Sequence, residues 1–280
     1  MIRFSDDMDK EIKVAYLGPE GTFSYTALLE IFGNSAKPVP QNSIQSVFDE
    51  VEAGRAVFGV VPVENSTEGS VTYTLDELVE TDLKIIAEHL LRIHNSLLSK
   101  ASEIKKVVRV YSHPQPLAQC KDWLKKNLGK AEIIQTASTI KAAESAFADE
   151  NSAAIASESA AKLYDLNILA SNIEDSRHNF TRFFVLGRQE NPATGRDKTS
   201  IVFSVKDEPG ALYKILKPFS DAGINLSKIE SRPNKKEMWA YNFFIDLTGH
   251  KDDKNVSKAL SNLKEAALFV KVLGSYPNNS

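Results

Sequence analysis

The stretch VAYLGPEGTFS, residues 14–24, decides how the fold begins, because a short apolar run passes through a Gly-Pro turn into residues with helical spacing. Further apolar runs predict four more buried strands, at 57–61, 107–111, 133–135 and 153–156. Apolar residues at helical spacing predict the helices, at 24–32, 44–53, 75–80, 116–128 and 139–149. This alternation over residues 13–187 predicts an α/β fold of mostly parallel sheets covered by helices.

A second, smaller domain is predicted after a polar break in this pattern. The segment RQENPATGRDK, residues 188–198, contains Pro192 and Gly195 and has no apolar periodicity, as expected of an interdomain linker. The elements after it are predicted in the order strand, helix, strand, strand, helix, strand, at 200–205, 209–222, 225–232, 239–247, 255–265 and 269–273. This βαββαβ order is typical of a ferredoxin-like regulatory or binding domain.

Composition and charge limit the classes of function. The 280 residues include 34 Lys and Arg and 37 Asp and Glu, which gives a net charge of -3. This balance disfavours a nucleic-acid or polybasic membrane surface, so we expect a small polar partner. The single cysteine, Cys120, excludes an internal disulfide, and the five histidines lack metal-ligand spacing, so we expect no metal site. The charged N-terminus and the lack of a long apolar run predict a cytoplasmic protein without a membrane span.

Four polar segments come at or near the ends of predicted strands, where open α/β sheets bind ligands. In chain order they are GPEGTFS (18–24), VENSTEGS (63–70), SHPQ (112–115) with Gln119 and Cys120 after it, and NFTRF (179–183), which is predicted to lead into a strand at 183–186. The first segment precedes a helix, whose free N–H groups and dipole can hold an anion beside Thr22 and Ser24. A tight turn with Thr22 or Ser24 as a helix cap is the simpler interpretation.

The other three segments also allow two interpretations each. Asn65 and Ser66 can hold polar substrate atoms, or they can form an Asx or Ser/Thr turn that caps the next helix. His113 and Cys120 can act as a nucleophilic pair, or as a structural hydrogen-bonding residue and a small buried side chain. Arg182 can bind a carboxylate with its planar guanidinium, or it can lie solvated at the start of a strand.

Together and in this order, GPEGTFS, VENSTEG, SHPQ followed by QC, and NFTRF resemble the prephenate dehydratase family over residues 13–187. The resemblance implies a two-lobed, periplasmic-binding-protein-like catalytic domain, with one lobe from about 13–86 plus 179–187 and the other from about 87–178. It also implies a carbon–oxygen lyase that converts prephenate to phenylpyruvate in L-phenylalanine biosynthesis, without a metal or organic cofactor.

The same resemblance implies roles for individual residues. Thr181 is expected to be the catalytic group, as a proton or hydrogen-bond donor to the leaving hydroxyl. Seven residues are expected to hold the two carboxylates and the keto side chain of the substrate: Thr22, Ser24, Asn65, Ser66, Ser112, Gln119 and Arg182. Three are expected to support them: Phe183, which would buttress the Thr181 loop from the core, with Glu64 and His113.

The predicted βαββαβ domain, residues 199–276, resembles the L-phenylalanine-binding ACT domain of the same family in three short motifs. The residues expected at the effector are Gly210, Ala211, Leu212, Asn225, Leu226, Glu230, Ser231, Arg232 and Pro233. The resemblance implies feedback inhibition by L-phenylalanine bound between two such domains, and hence a homodimer or homotetramer. A plain βαββαβ domain, with Gly210 at a helix start and Pro233 ending a strand, is the structural alternative.

Several other functions are alternatives to prephenate dehydration. Arogenate dehydratases share the motifs and take the amino analogue of prephenate, whereas a non-catalytic sensor would bind L-phenylalanine without turnover. The lack of a secretory signal disfavours a secreted solute-binding protein, and the lack of a basic patch disfavours a transcriptional sensor. Some family members carry a chorismate mutase domain first; about a dozen residues precede Lys13, so we expect none here, and MIRFSDD is either a native tail or a remnant linker.

Overall fold

The structure, a computed structural model, describes residues 12–176, 178–234 and 241–278. Two features of the sequence lie outside these residues: the start MIRFSDD, and Trp239, where a strand is predicted to begin. No helix of the described residues is long and apolar enough to cross a membrane.

Two compact units make up the described chain. The first comprises residues 12–47, 60–71 and 90–183, and the second comprises 48–59, 72–89 and the residues from 184 onward. All four polar segments of the sequence lie in the first unit, and the ACT-like motifs lie in the second. The lobe boundaries implied by the resemblance stay a prediction.

The part before residue 188 contains strands and helices in alternation, as the sequence predicts. Its strands are β1 (Ile12–Leu17), β2 (Ala36–Gln41), β3 (Phe58–Asn65), β4 (Gly69–Ser70), β5 (Lys84–Arg92), β6 (Ser96–Ser99), β7 (Arg109–Ser112), β8 (Glu132–Gln135), β9 (Ser152–Ala156), β10 (Asn167–Ala170) and β11 (Phe180–Gly187). Its α-helices are α1 (Phe23–Phe32), α2 (Ile44–Glu52), α3 (Thr72–Glu80), α4 (Pro114–Gln119), α5 (Lys121–Leu128), α6 (Thr139–Ala148) and α7 (Glu158–Leu163).

These strands form two sheets. One has the order β2-β1-β3-β11-β5, with β4 paired to β3, and the other has the order β10-β6-β9-β7-β8. The second sheet is mixed rather than mostly parallel, because β6 pairs antiparallel with both β9 and β10, while β7 pairs parallel with β8 and β9. The α/β fold class is confirmed, and the antiparallel share of this sheet corrects the prediction.

One predicted helix, 116–128, is two helices that meet at Cys120. α4 begins at Pro114 with His113 as its N-cap, and α5 begins at Lys121. The break is stabilised from a distant part of the chain, because the Asp175 carboxylate accepts hydrogen bonds from the backbone N–H groups of Asp122 (2.9 Å) and Trp123 (3.0 Å). These N–H groups lie in the first turn of α5, where no intrahelical partner exists.

The C-terminal part has the predicted βαββαβ order. Its elements are β12 (Asp197–Ser204), α8 (Ala211–Asp221), β13 (Leu226–Pro233), β14 (Tyr241–Thr248), α9 (Lys254–Ala266) and β15 (Phe269–Pro277). The strands form an antiparallel sheet in the order β13-β14-β12-β15. Apolar side chains of the sheet and of both helices form one core, which includes Phe203, Phe219, Leu247 and Leu263.

The predicted linker, 188–198, belongs to the second unit and makes hydrogen bonds within it. Arg188 Nε donates to the carbonyl of Val51 (3.1 Å), and Asn191 Nδ2 donates to the carbonyls of Ile86 (2.7 Å) and Ser275 (3.0 Å). Asp197, at the end of the segment, is 3% exposed and already belongs to β12. The polar side chains of this predicted interdomain linker supply these hydrogen bonds to backbone carbonyls.

Candidate active site

The first motif forms a turn that Thr22 holds together. Thr22 is the N-cap of α1: its Oγ1 accepts from the N–H of Tyr25 (3.3 Å) and lies 2.9 Å from the carbonyl oxygen of Pro19. Ser24 is buried in the first turn of the helix. The capping interpretation of Thr22 is therefore confirmed, and a contact of Thr22 or Ser24 with substrate stays a prediction.

The second motif is built around the side-chain amide of Asn65, which is 8% exposed. Its Oδ1 accepts from the N–H groups of Thr67 (3.0 Å) and Glu68 (3.2 Å) and from the Thr67 hydroxyl (2.6 Å). Its Nδ2 donates to Asn179 Oδ1 and to Thr181 Oγ1, both at 2.9 Å. Asn65 thus makes the Asx-type turn of one interpretation and, with its other atom, contacts the fourth motif.

The fourth motif begins β11 instead of preceding it. Because β11 starts at Phe180, Thr181 and Arg182 lie within the strand, and their directions are set by its alternation. Ser66 joins the motif from the other side: its Oγ donates to the His178 carbonyl (2.7 Å) and accepts from the Phe180 N–H (3.0 Å).

Arg182 and Phe183 differ in what they contact. Arg182 is 8% exposed, which excludes the solvated interpretation, and its Nη1 lies 4.0 Å from Glu64 Oε2. Glu64 is therefore a charged neighbour of the guanidinium in this structure. Phe183 is 1% exposed, as expected of a residue that buttresses from the core.

Gln119 joins the third motif to the second and fourth. Its Oε1 accepts from Asn179 Nδ2 (3.0 Å) and from Asn95 Nδ2 (3.3 Å), and its Nε2 donates to Thr67 Oγ1 (3.3 Å). The structure thus brings Asn65, Thr181 and Gln119 into one hydrogen-bonded group with three residues that the sequence analysis did not select: Thr67, Asn95 and Asn179.

The rest of the third motif is structural in this conformation. Ser112 is fully buried and donates to the carbonyl of Ile155 (2.7 Å), which links β7 to β9. His113 Nδ1 accepts from the N–H of Gln115 (3.4 Å) as the cap of α4. Cys120 is fully buried, and burial raises the pKa of its thiol far above the usual value, with the charges of Glu174 and Asp175 adding to the effect. A protonated, buried thiol argues against the nucleophilic Cys/His pair.

No group of three or more His, Cys, Asp or Glu side chains is arranged to hold a metal ion in the part of the chain that the structure describes.

The ACT-like motifs lie at the start of α8, just before β13 and within β13. Gly210 precedes α8 with a φ of 80°, and a Cβ added there would meet nothing within 4 Å, so the backbone conformation explains the glycine. Ala211 and Leu212 begin α8. Asn225 precedes β13 and accepts from the Thr248 N–H through its carbonyl (3.0 Å), and Leu226, Glu230, Ser231, Arg232 and Pro233 belong to β13.

Two cations of the C-terminal sheet bind the helix that follows the second motif. Arg232 Nη2 donates to both carboxylate oxygens of Asp76 on α3, at 2.8 Å each. Lys271 Nζ donates to the carbonyls of Leu78 (3.1 Å) and Val79 (2.8 Å), and to that of Thr81, at the C-terminal end of α3. A cation at this end of a helix is favoured by the helix dipole.

Comparison with known proteins assigns the family. The model of the family described as prephenate dehydratase matches residues 14–191, and that of the ACT domain matches residues 199–265. This chain belongs to the prephenate dehydratase family. The family predicted from the four motifs is therefore confirmed, together with the C-terminal ACT domain.

Three of the similar proteins differ in sequence identity and in the activity that their names give. The chain is 56% identical to a bifunctional chorismate mutase/prephenate dehydratase of Aquifex aeolicus (strain VF5), over 96% of this chain and 75% of the relative. A prephenate dehydratase of Arthrobacter aurescens, solved in complex with L-Phe, is 36% identical with a TM-score of 0.89, over 95% of this chain and 90% of the other. GqqA, described as a novel type of quorum quenching acylase, is 30% identical with a TM-score of 0.87, over 95% and 98%.

Proposed function

We propose that this protein is a prephenate dehydratase that converts prephenate to phenylpyruvate, and that the hydroxyl of Thr181 assists the departing hydroxyl group of the substrate. The observation that carries the proposal is the contact between Asn65 and Thr181. An amide nitrogen can only donate, so Thr181 Oγ1 accepts from Asn65 Nδ2 and keeps its own proton for another acceptor. A substrate hydroxyl that leaves as water is such an acceptor.

The reaction needs little from the protein beyond position and one hydrogen-bond donor. The bond from the ring to the hydroxyl breaks, the bond from the ring to one carboxylate breaks, and the electrons released complete an aromatic ring. The departing hydroxide takes up one proton and leaves as water. The carboxylate leaves as carbon dioxide, and phenylpyruvate remains. Thr181 shares its proton with the departing oxygen and is restored from water. Aromatisation drives the reaction, so no oxidant, reductant or organic cofactor enters it.

The remaining predicted residues are proposed to hold the dianionic substrate. Arg182 has the guanidinium that a carboxylate binds best, and this chemistry supports the role that the resemblance implies. Gln119 and Asn65 supply fixed dipoles, and the exposed Ser66 of the second motif contacts the chain next to the fourth motif. Thr22, Ser24 and Ser112 are proposed to contribute less, because Thr22 caps α1 and the side chains of Ser24 and Ser112 are buried.

The first test is the formation of phenylpyruvate from prephenate, followed by ultraviolet absorbance. We expect turnover of prephenate, with arogenate assayed in parallel. Turnover of arogenate alone would make the protein an arogenate dehydratase, and binding of L-phenylalanine without turnover of either substrate would make it a sensor. Release of a carboxylic acid from an acyl amide, with no product from prephenate, would assign it the activity described for GqqA.

We also propose that L-phenylalanine binds the ACT domain and inhibits the reaction. Arg232 and Lys271 donate hydrogen bonds to α3, which begins two residues after the VENSTEGS motif. These contacts support a link between the effector-binding residues and the candidate active site. Inhibition requires that L-phenylalanine bind the less active arrangement better than the active one. A homodimer or homotetramer and a cytoplasmic location belong to the same proposal.

Replacing Arg232 with lysine is expected to raise the concentration of L-phenylalanine that halves the rate by about tenfold or more. Arg232 Nε is buried and has no hydrogen-bond partner among the described residues, so it is a donor available to the effector carboxylate. Lysine keeps the charge opposite Asp76 but lacks this donor, and a hydrogen bond to a charged group contributes about 1.5–3 kcal/mol. Inhibition curves on prephenate turnover measure the change.

The control for this prediction is Arg55→Lys, because Arg55 is 61% exposed and pairs with Glu50 on the surface. Its inhibition curve should match that of the wild type. Equal sensitivity of the Arg232→Lys variant and the wild type would remove Arg232 from the effector site.

A further inference from the structure

Four side chains of the candidate active site form a closed ring of hydrogen bonds that run in one direction. Asn65 Nδ2 donates to Asn179 Oδ1 (2.9 Å), and Asn179 Nδ2 donates to Gln119 Oε1 (3.0 Å). Gln119 Nε2 donates to Thr67 Oγ1 (3.3 Å), and Thr67 Oγ1 donates to Asn65 Oδ1 (2.6 Å). Every member of this amide ring therefore both donates and accepts within it.

Backbone groups fix the direction of the amide ring. Asn65 Oδ1 also accepts from the N–H groups of Thr67 and Glu68, and an N–H can only donate, so this atom is the amide oxygen. The Thr67 hydroxyl then gives its proton to Asn65 and must accept from Gln119 Nε2. Gln119 Oε1 consequently accepts from Asn179 Nδ2, and Asn179 Oδ1 accepts from Asn65 Nδ2.

A neighbouring amide, that of Asn95, has the same direction as the amide ring. Asn95 is fully buried, and its Nδ2 also donates to Gln119 Oε1 (3.3 Å). Its Oδ1 has no hydrogen-bond partner among the residues that the structure describes. Turning the Asn95 amide would place its oxygen against Gln119 Oε1.

We infer that Asn179 is a positioning residue for the reaction, an inference that rests on the proposed function. Asn179 is 2% exposed, so it acts through its neighbours rather than on the substrate. It holds one hydrogen of Asn65 Nδ2 on its own Oδ1, which directs the other hydrogen to Thr181 Oγ1. That oxygen is then an acceptor towards Asn65, and the proton of Thr181 points away from Asn65, towards the departing hydroxyl.

The test is a double-mutant cycle between Asn179→Ala and Thr181→Ala, with kcat and KM for prephenate measured in all four proteins. In the wild-type background, Asn179→Ala should lower kcat by about tenfold to a hundredfold, because small misplacements of a reacting group have effects of this size. Its KM should change by less than about threefold. In the Thr181→Ala background, the same substitution should change kcat by less than about twofold, since the hydroxyl that Asn179 directs is absent.

Asn167→Ala is the matched control, because the Asn167 amide also makes two hydrogen bonds, to the carbonyls of Lys100 (3.2 Å) and Ala101 (3.3 Å), outside the amide ring. It should leave kcat within about twofold in both backgrounds. Equal losses of kcat from Asn179→Ala in both backgrounds, or a loss confined to KM, would overturn the positioning role while leaving the proposed function intact. A wild type without turnover of prephenate would overturn the proposed function itself, and this inference with it.

Discussion

Replacing Thr181 with valine is expected to lower kcat for prephenate by about 10²–10⁴-fold, the range that a positioned proton donor contributes. Valine has nearly the shape of threonine but no hydroxyl, so β11 should keep its packing. The loss corresponds to about 3–5 kcal/mol of transition-state stabilisation. The same change removes the acceptor for one hydrogen of Asn65 Nδ2, a cost of about 1–3 kcal/mol in stability, and the protein should remain folded.

The control for this substitution is Thr181→Ser, which keeps the hydroxyl and loses the methyl group. Its kcat should stay within about tenfold of the wild type, because the serine hydroxyl can still accept from Asn65 and donate to the substrate. Rates are compared at saturating prephenate, with circular dichroism spectra of all three proteins. A Thr181→Val variant that turns over as fast as Thr181→Ser would exclude the hydroxyl as the catalytic group.

The strand and helix pattern was predictable where periodicity was strong. β1, β3 and β9 are buried apolar runs, and the helices α1, α6 and α9 have one apolar face, so each is found within a few residues of its prediction. Two of the strands that escaped prediction are edge or antiparallel strands with a weak pattern. β2 contains two prolines, and only two of the four residues of β6 are aliphatic.

The motif residues were predictable, whereas their connection was not. Asn65, Gln119 and Thr181 each belong to a motif that the sequence displays, but Asn179 joins Asn65 across 114 positions of the chain and Gln119 across 60. Nothing in local spacing encodes which amide faces which. The only signal available was that Asn179 opens the NFTRF motif two residues before Thr181, and a pairing between motifs can be recognised only once the fold brings strand ends together.

Polar composition alone did not predict the contacts that one segment makes. Residues 188–198 have the composition of a linker, yet Asn191 and Arg188 bind backbone carbonyls, and Lys198 is buried in an ion pair. Composition reports the hydrogen-bonding capacity of a segment, and the fold decides whether water or protein satisfies that capacity.

Replacing Lys198 with methionine is expected to lower the free energy of unfolding by about 3–5 kcal/mol, as for other buried ion pairs that lose one partner. Lys198 Nζ lies 2.6 Å from Glu88 Oε1, and the two side chains are only 11% and 4% exposed. Methionine fills a similar volume, so the cost comes from the carboxylate of Glu88, which loses its cation in a buried place. Urea unfolding followed by circular dichroism measures the loss.

Two further variants separate this cause from a general effect of the substitution. Lys217→Met removes an ion pair with Asp221 whose partners are 53% and 60% exposed, and it should cost less than about 1 kcal/mol, since water solvates both charges. Glu88→Leu combined with Lys198→Met removes both buried charges and should regain most of the stability that Lys198→Met loses. If the double variant is as unstable as Lys198→Met, the loss comes from packing around residue 198 and not from removing the cation beside Glu88.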